Sequence, residues 1–445
     1  MKTGKIFPLA GIAAWMAVFA LSFASCGGAG KAYPDFSDYV VAPADNGNGG
    51  DQSNGNNGNG DNPTGNTGGD NPGTTTEDRL KDMSLSIREI IAKYYAGYNF
   101  NFGCTPNVSL LNNPTGANMT RFLTEFSYNT PENSFKQRGV YPNPGAAWGS
   151  AEYMNWISVA RGNGQMIRCH GPVSPQCSDW AEEDNRTGPE LLDCMTYYMT
   201  NLAKDLELNK DVVKLMDVVN ETVVTSKSNS RKDLSDRVYE VGDWFGPIPG
   251  TGGWENPWLT IGLNEDGIPT YITKAFELAC QYAPSIKKLY NHNGGMEKAA
   301  WDKVKATILY LRSKGYTVDA VGWQGHMSST WYKTASNLTS LSNLIDWCYA
   351  NNLEFHVTEL DIKWTTNTIQ TDQAAKAQEA AACLGAIIET VVKKVGHGAC
   401  GINMWTLTSR TTAANDFTGM FYPALTDDAP AYVAIKKILL LDAPN

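Results

Sequence analysis

Short apolar runs alternate with longer stretches of helical periodicity from residue 79 to the end of the chain. The short runs have the length of buried strands, and the longer stretches have the period of amphipathic helices. The predicted strands are 98–103, 125–129, 165–170, 215–220, 286–290, 318–324, 354–360 and 401–405. The predicted helices are 80–95, 191–206, 270–282, 296–314, 340–350 and 372–395.

Eight strands that alternate with helices predict an α/β fold, with a parallel sheet closed into a (β/α)8 TIM barrel. The alternative is an open doubly wound sheet, which usually carries a glycine-rich phosphate fingerprint after its first strand. No such fingerprint follows 98–103. We therefore predict one catalytic barrel domain over 79–445.

The first 25 residues have the pattern of a secretory signal. Lys2 and Lys5 precede an apolar run over 6–23, and Cys26 follows at once. This resembles a bacterial lipoprotein signal, in which cleavage leaves Cys26 as the lipid-bearing N-terminus. An ordinary signal peptide with a chance cysteine is the alternative, and the run is barely long enough for a transmembrane anchor. We expect a protein exported to the bacterial cell envelope, at the outer membrane or cell surface.

Residues 26–78 are predicted to be a flexible linker between the lipid and the barrel. From 44 to 76 the chain is nearly all Gly, Asn, Asp, Thr and Pro, with no apolar residue to bury. Such a tether would hold the barrel away from the membrane.

Composition narrows the range of partners. The net charge of -10 and the pI near 5.1 argue against binding to nucleic acid or to an anionic membrane surface, and favour a neutral or weakly acidic substrate. The 13 tryptophans suit stacking on sugar rings as well as core packing. The eight cysteines after Cys26 leave two readings open: disulfides, with Cys169 and Cys177 as the closest couple, or small buried residues.

Two strand ends carry the most informative carboxylates. Alternate residues of a strand face the same way, so Glu359 and Asp361 are predicted to share one side while Thr358 faces the other. A second strand, 215–220, is followed at once by Glu221. Glycoside hydrolysis requires two such carboxyl groups, one to protonate the leaving oxygen and one to attack or to activate water.

Other polar side chains also lie at the carboxyl ends of predicted strands, the face where barrel enzymes build their sites. Taken singly, each has a structural explanation: Asn133 belongs to a helix-start motif, and a lone strand-end histidine is usually structural. Their common placement on six strands is harder to explain by packing. The set is Asn133, His170, Glu221, Gln324, His326, Glu359 and Trp405.

Together these residues resemble glycoside hydrolase family 10, the (β/α)8 endo-β-1,4-xylanases. The resemblance covers the chain from about residue 80 to its end. Each motif is weak alone, but six of them occur in the family's order. They are Thr130-Pro131-Glu132-Asn133 with Lys136, Arg168-x-His170, Val219-Asn220-Glu221, Gly322-x-Gln324-x-His326, Thr358-Glu359-Leu360-Asp361 and Trp405.

The resemblance implies a role for each of these residues. Glu221 would be the general acid/base and Glu359 the nucleophile. Asn220 would bind the 2-hydroxyl of the sugar being cleaved, and Gln324 would lie near Glu221. His326 and Asp361 would hold Glu359, with hydrogen bonds from His326 and Asn220 helping to keep it ionised. The substrate-binding residues would be Glu132, Asn133, Lys136, His170 and Trp405.

The chain also departs from the family pattern. The tryptophan and second histidine that usually follow His170 are Ser174 and Pro175, and the glycine after Trp405 is Thr406. These changes put plain xylan specificity in question. Residues 229–253 form an added loop, read either as an aromatic wall on the aglycone side of the cleft or as a surface excursion with a small hydrophobic cluster.

We predict a monomeric, retaining endo-β-1,4-xylanase that acts on polysaccharide without metal or cofactor. One alternative is the same machinery acting on another or a decorated β-glycan. The other is a glycan-binding surface lipoprotein that has lost turnover. Retention of both glutamates with their neighbours argues against the latter.

Overall fold

The computed structural model describes residues 76–250, 254–365, 371–412 and 415–444. Eight strands pair in parallel with their neighbours in chain order, and the last strand pairs with the first. The strands are β1 Phe100–Cys104, β2 Tyr128–Asn129, β3 Met166–Cys169, β4 Val213–Asn220, β5 Lys287–His292, β6 Ala320–Trp323, β7 Glu354–Thr365 and β8 Cys400–Met404. The predicted TIM barrel is confirmed.

Helices connect the strands and cover the barrel. The α-helices are Thr76–Leu80, Ile87–Tyr94, Ala117–Glu125, Gln137–Val140, Ala151–Gly162, Gly188–Leu208, Thr270–Tyr282, Lys298–Ser313, Ala335–Ala350, Gln373–Val392 and Pro430–Leu441. Several begin at side-chain caps: Thr187 and Glu190 form a reciprocal capping box, and Asp372 accepts two backbone N–H groups. The last residues of β7 pair with two further elements. One is the two-residue strand His326–Met327, and the other is the strand Asn415–Thr418, which forms a hairpin with Ser409–Thr411.

The barrel interior has an apolar layer below a polar one. The apolar layer, early in the strands, consists of Tyr128, Leu215, Leu289 and Ala320. Further along the strands the buried interior includes Arg168, Asp217 and Asn291. The polar layer therefore lies toward the carboxyl ends of the strands, directly beneath the predicted site.

Both strands that carry the predicted catalytic glutamates contain an irregularity. In β4 the register shifts between Asp217 and Val219, and in β7 it shifts between Val357 and Leu360. Each shift inserts one extra residue, as in a β-bulge, and a bulge re-aims the neighbouring side chains. The prediction that Thr358 faces away from Glu359 is wrong, because the bulge in β7 breaks the strict alternation. Both side chains bond Asn291.

The N-terminal predictions lie outside the described residues, namely the signal over 1–25, the lipid-bearing Cys26 and nearly all of the linker. The helix Thr76–Leu80 crosses the predicted linker boundary at 78, and Arg79 donates to the carbonyl oxygen of Ala443 at 2.7 Å. No helix among the described residues has the length and apolarity needed to cross a bilayer. The eight described cysteines are all free thiols, and seven of them are buried.

The chain between β4 and the next helix makes a long excursion with a hydrophobic cluster of its own. Val224, Tyr239, Phe245 and Ile248 bury one another, and Trp254 packs against them. Backbone hydrogen bonds tie this excursion to the end of β4, with Phe245 N–H donating to Thr222 O at 2.9 Å. We call the described residues of the excursion, 222–250 and 254–256, the β4 insertion.

Candidate active site

Glu221 follows directly on β4 in a left-handed conformation, with a φ of 56°. This conformation is costly for a residue with a Cβ, and such strain is found preferentially at functional sites. One carboxylate oxygen accepts a hydrogen bond of 2.6 Å from the side-chain amide of Gln324. Burial raises the pKa of Glu221 to about 7; the Gln324 bond opposes the rise and the charge of Glu359 adds to it. Glu221 is therefore largely protonated in mildly acidic solution.

Glu359 has the opposite electrostatic environment, although it too is buried. One of its oxygens accepts from Asn291 Nδ2 at 2.9 Å, and the other lies 3.1 Å from His326 Nε2. Burial alone would raise the pKa of Glu359, but the charge that His170 carries when protonated, the hydrogen bond and charge of His326, and the charge of Arg168 outweigh burial and lower the pKa to about 2. Between about pH 2 and pH 7, Glu359 is therefore ionised while Glu221 is largely protonated.

Two histidines flank Glu359 in different protonation states. Burial would lower the pKa of His326, but Asp361, 2.7 Å from Nδ1, and Glu359 raise it to about 9. Burial keeps the pKa of His170 below its usual value, so His170 is neutral at pH 7. At neutral pH the charge of Glu359 is therefore balanced by His326 and Arg168 rather than by His170.

Asn220 and Asn291 join the two carboxyl groups through hydrogen bonds. The side-chain oxygen of Asn220 accepts from Asn291 at 3.0 Å and from Gln324 at 3.2 Å. The prediction that Asn220 donates to Glu359 is wrong. Asn291, on the neighbouring strand β5, reaches Glu359 instead, while the oxygen of Asn220 is directed toward the two amide donors.

A buried ion pair supports the site from below. Arg168 makes two hydrogen bonds to Asp217, at 3.1 and 2.9 Å, and a third to the carbonyl oxygen of Thr358 at 2.7 Å. Asp217 also lies 2.8 Å from His170 Nδ1. Because Thr358 precedes Glu359, this pair fixes the positions of both His170 and the strand that carries Glu359.

Glycine at position 325 allows the predicted Gln324-x-His326 pattern to reach both glutamates. Gly325 has a φ of 81°, a conformation that glycine adopts at little cost. Gln324 consequently bonds Glu221, while His326 bonds Glu359 and Asp361. One short loop thus serves both carboxyl groups.

These residues border a single groove at the carboxyl end of the barrel. The tryptophan ring of Trp405 meets the His170 ring at a centroid distance of 5.0 Å and an interplanar angle of 76°. Lys136 donates to Gln176 at 2.5 Å, and burial lowers the pKa of Lys136 to about 8. The lining residues are Lys136, His170, Gln176, Asn220, Glu221, Trp254, Asn293, Gln324, His326, Glu359 and Trp405.

A second depression continues the groove beyond Trp405 and Glu132. There Arg410 lies 3.5 Å from Glu132 and stacks over Phe417 at 4.4 Å. Asn133, the remaining predicted binding residue, is exposed and lies outside both sets of lining residues. Asp361 lies behind the groove, where it contacts His326.

Three residues of the site, Asp217, Asn291 and Gln176, had no role assigned from the sequence pattern. Asp217 lies within the predicted buried strand 215–220, and a buried carboxylate requires a partner. The strand pattern therefore indicated that Asp217 is paired. Asn291 carried no local signal, because its partners Asn220 and Glu359 are distant in sequence. Trp254 belonged with the added loop, for which an aromatic wall on the aglycone side was one of the two open readings.

The site brings together two carboxyl groups of opposite protonation in a groove that also offers amides, an ammonium group and an indole. Such a pair can supply a proton at one atom and a nucleophile at another in a single pH range. This is the requirement for cleaving an acetal bond between sugars.

Comparison with known proteins agrees with this chemistry. The family model "Glycosyl hydrolase family 10" matches residues 90–438. Endo-1,4-beta-xylanase A of Caldicellulosiruptor saccharolyticus is 27% identical over 294 residues, 64% of this chain and 72% of that protein. Endo-1,4-beta-xylanase 1 of Gibberella zeae is 26% identical over 306 residues, 66% and 76% respectively. Native xylanase 10B from Thermotoga maritima has the same fold, with a TM-score of 0.60 at 20% identity, over 80% of this chain and 98% of that one.

Proposed function

The chain belongs to glycosyl hydrolase family 10, and from this premise we propose that it is a retaining endo-β-1,4-xylanase. The observation that carries the proposal is the contrast between two buried carboxyl groups. The pKa of Glu221 is raised to about 7 by burial, while the partners of Glu359 overcome its burial and lower its pKa to about 2. Retaining glycosidases need this pairing of a protonated acid with an ionised nucleophile.

In the first step Glu359 attacks the anomeric carbon while Glu221 gives its proton to the glycosidic oxygen. The carbon–oxygen bond breaks, the shortened chain leaves as an alcohol, and a glycosyl ester with Glu359 remains. Glu221, now ionised, takes a proton from water as the water oxygen attacks the same carbon. The ester bond breaks, Glu359 is released as a carboxylate, and the configuration of the sugar is retained.

The remaining residues would position the sugar chain. The oxygen of Asn220 is taken up by Asn291 and Gln324, so its amide nitrogen would donate to the 2-hydroxyl. Lys136, His170 and Glu132 would bind hydroxyl groups on the side away from the leaving group, with Trp405 as an apolar floor. Asn133 is exposed, so it would contact the sugar chain only if its side chain moved toward the groove.

The test is reducing-sugar release from xylan by the unmodified protein and by Glu221→Ala and Glu359→Ala. Both variants should lose release on unactivated xylan. Added azide should restore turnover of an activated aryl xyloside by Glu221→Ala, because azide replaces water and the activated leaving group needs no proton. Rescue of neither variant would contradict the role assignment. Binding of xylan by the unmodified protein without any hydrolysis would indicate a non-catalytic glycan-binding protein.

A decorated β-glycan is a second candidate substrate, favoured by the depression beyond Trp405. Its lining includes Thr406, which replaces the family's usual glycine, and it could hold a sugar side group. Product analysis on linear and arabinosylated xylan distinguishes the two. Equal or faster cleavage of the decorated polymer would favour the second candidate.

We also propose that lipid on Cys26 anchors the enzyme to the cell envelope, on the basis of the signal pattern before Cys26. The wild-type protein should partition with membranes, and Cys26→Ser should be recovered in the soluble fraction. Recovery of the wild-type protein in the soluble fraction would contradict the lipid anchor.

A further inference from the structure

We propose that Trp254, supplied by the β4 insertion, is the apolar contact for the sugar residues on the leaving-group side of the groove. The inference rests on the proposed function and extends it to a residue outside the family motifs. Trp254 borders the same groove as Glu221 and Glu359, although it lies more than thirty residues beyond β4.

The insertion holds Trp254 in place through its own packing. The ring of Phe245 lies 4.5 Å from that of Trp254 between centroids, and the guanidinium of Arg231 lies 4.7 Å from the Trp254 ring. Phe245 is fully buried and bonded through its backbone to Thr222, directly after Glu221. The position of the indole is therefore coupled to the end of β4.

The chemistry of Glu221 identifies which end of the groove Trp254 borders. A general acid must lie beside the oxygen that it protonates, and that oxygen departs with the leaving chain. Trp254 follows Glu221 in the chain, and Asn293, also in the groove, follows β5 next to β4. Glu132 and Arg410 follow β2 and β8, at the other end. The Trp254 end is therefore the leaving-group end.

The side chains at this end suit a neutral sugar. Trp254 is half-buried and offers an apolar surface for the C–H groups of a pyranose ring. The side-chain oxygen of Asn293 is buried without a hydrogen-bond partner among the described residues, and a sugar hydroxyl would satisfy it. The combination of one aromatic surface and one unsatisfied acceptor fits an uncharged β-1,4-linked sugar unit.

Two substrates separate this role from a structural one. Xylohexaose places sugars at both ends of the groove, whereas 4-nitrophenyl xylobioside has only a small activated group on the leaving side. For Trp254→Ala we expect kcat/KM on xylohexaose to fall about tenfold or more, as truncating an aromatic anchor typically causes. On the aryl glycoside kcat/KM should stay within about twofold, because no leaving-side sugar is present.

Trp244→Ala is the matched control from the same insertion. Trp244 lies outside the groove lining, and its indole nitrogen donates to Gly267 O at 3.2 Å. This variant should leave the ratio of the two kcat/KM values unchanged. Trp254→Phe, which keeps an apolar ring, should retain more xylohexaose activity than Trp254→Ala.

The outcomes are distinct. An unchanged ratio in Trp254→Ala, or an equal fall on both substrates, would overturn the assignment of Trp254 and leave the proposed function intact. Failure of the unmodified protein to cleave either substrate would overturn the proposed function itself, and the assignment with it.

Discussion

Replacing Gln324 by Met should move the alkaline limb of the pH–activity profile to higher pH. Gln324 donates at 2.6 Å to Glu221, and this bond opposes the rise in the pKa of Glu221 that burial causes. The unbranched methionine has a similar length but cannot donate. The backbone N–H and carbonyl of Gln324, which bond His292 and Glu359, remain in place.

The size of the shift follows from the difference between two hydrogen bonds. A bond to a charged group contributes about 1.5–3 kcal/mol and a bond to a neutral group about 0.5–1.5 kcal/mol. Removing the Gln324 bond therefore costs the ionised form of Glu221 about 1–1.5 kcal/mol more than it costs the protonated form, which corresponds to about one pKa unit. The pKa of Glu221, about 7 in the unmodified protein, should therefore approach roughly 8.

The assay is kcat/KM on xylohexaose from pH 4 to 10, because kcat/KM reports the free enzyme's essential groups. Gln176→Met is the control, since Gln176 borders the groove but its carbonyl oxygen bonds Lys136 rather than either glutamate. Its alkaline limb should stay within about 0.3 pH units of the parent, a small part of the roughly one-unit shift expected for Gln324→Met. A limb that stays or moves to lower pH in Gln324→Met would refute the assignment of Glu221 as the acid held by Gln324.

Two further predictions concern stability and the cysteines. Arg168→Met leaves the charge of Asp217 buried without the Nη1 group that bonds both carboxylate oxygens, and should lower the free energy of unfolding by about 3–5 kcal/mol in urea titrations. Adding Asp217→Asn should recover part of this loss; a single variant as stable as the parent would contradict the role of the pair. Iodoacetamide should label Cys280 but spare the seven buried cysteines of the described residues, whose thiols have pKa values raised by burial, to about 12 at Cys400. Peptide mass spectrometry checks this, and rapid labelling of a buried cysteine would contradict it.

The barrel strands could be predicted because a parallel strand covered on both sides reads as a continuous apolar run. Helices are harder to predict from the sequence where their buried face contains a charged residue. The sequence pattern does not predict the helix Ala117–Glu125, whose last residue, Glu125, is buried and accepts hydrogen bonds from the backbone N–H of Ile87 and the hydroxyl of Tyr432. A buried carboxylate breaks the apolar pattern, and its partners come from distant parts of the chain.

Within the site, the sequence indicated the residue types but not every contact. Strand parity correctly suggested that Glu359 and Asp361 face the same partner, since His326 contacts both. Parity failed at Thr358, because a bulge depends on how two strands align and leaves no local signature. The contact of Asn291 with Glu359 likewise depends on barrel closure rather than on nearby residues.

The separate hydrophobic cluster within the β4 insertion has a consequence for altering the enzyme. Val224, Tyr239, Phe245 and Ile248 bury one another apart from the main core, so the barrel does not depend on them for its own packing. A substitute excursion that keeps the contacts of Val223, Val241 and Trp244 with the main core could be grafted as an exchangeable cassette. Product lengths could then be tuned by swapping this one segment, while both glutamates and the scaffold beneath them are left untouched.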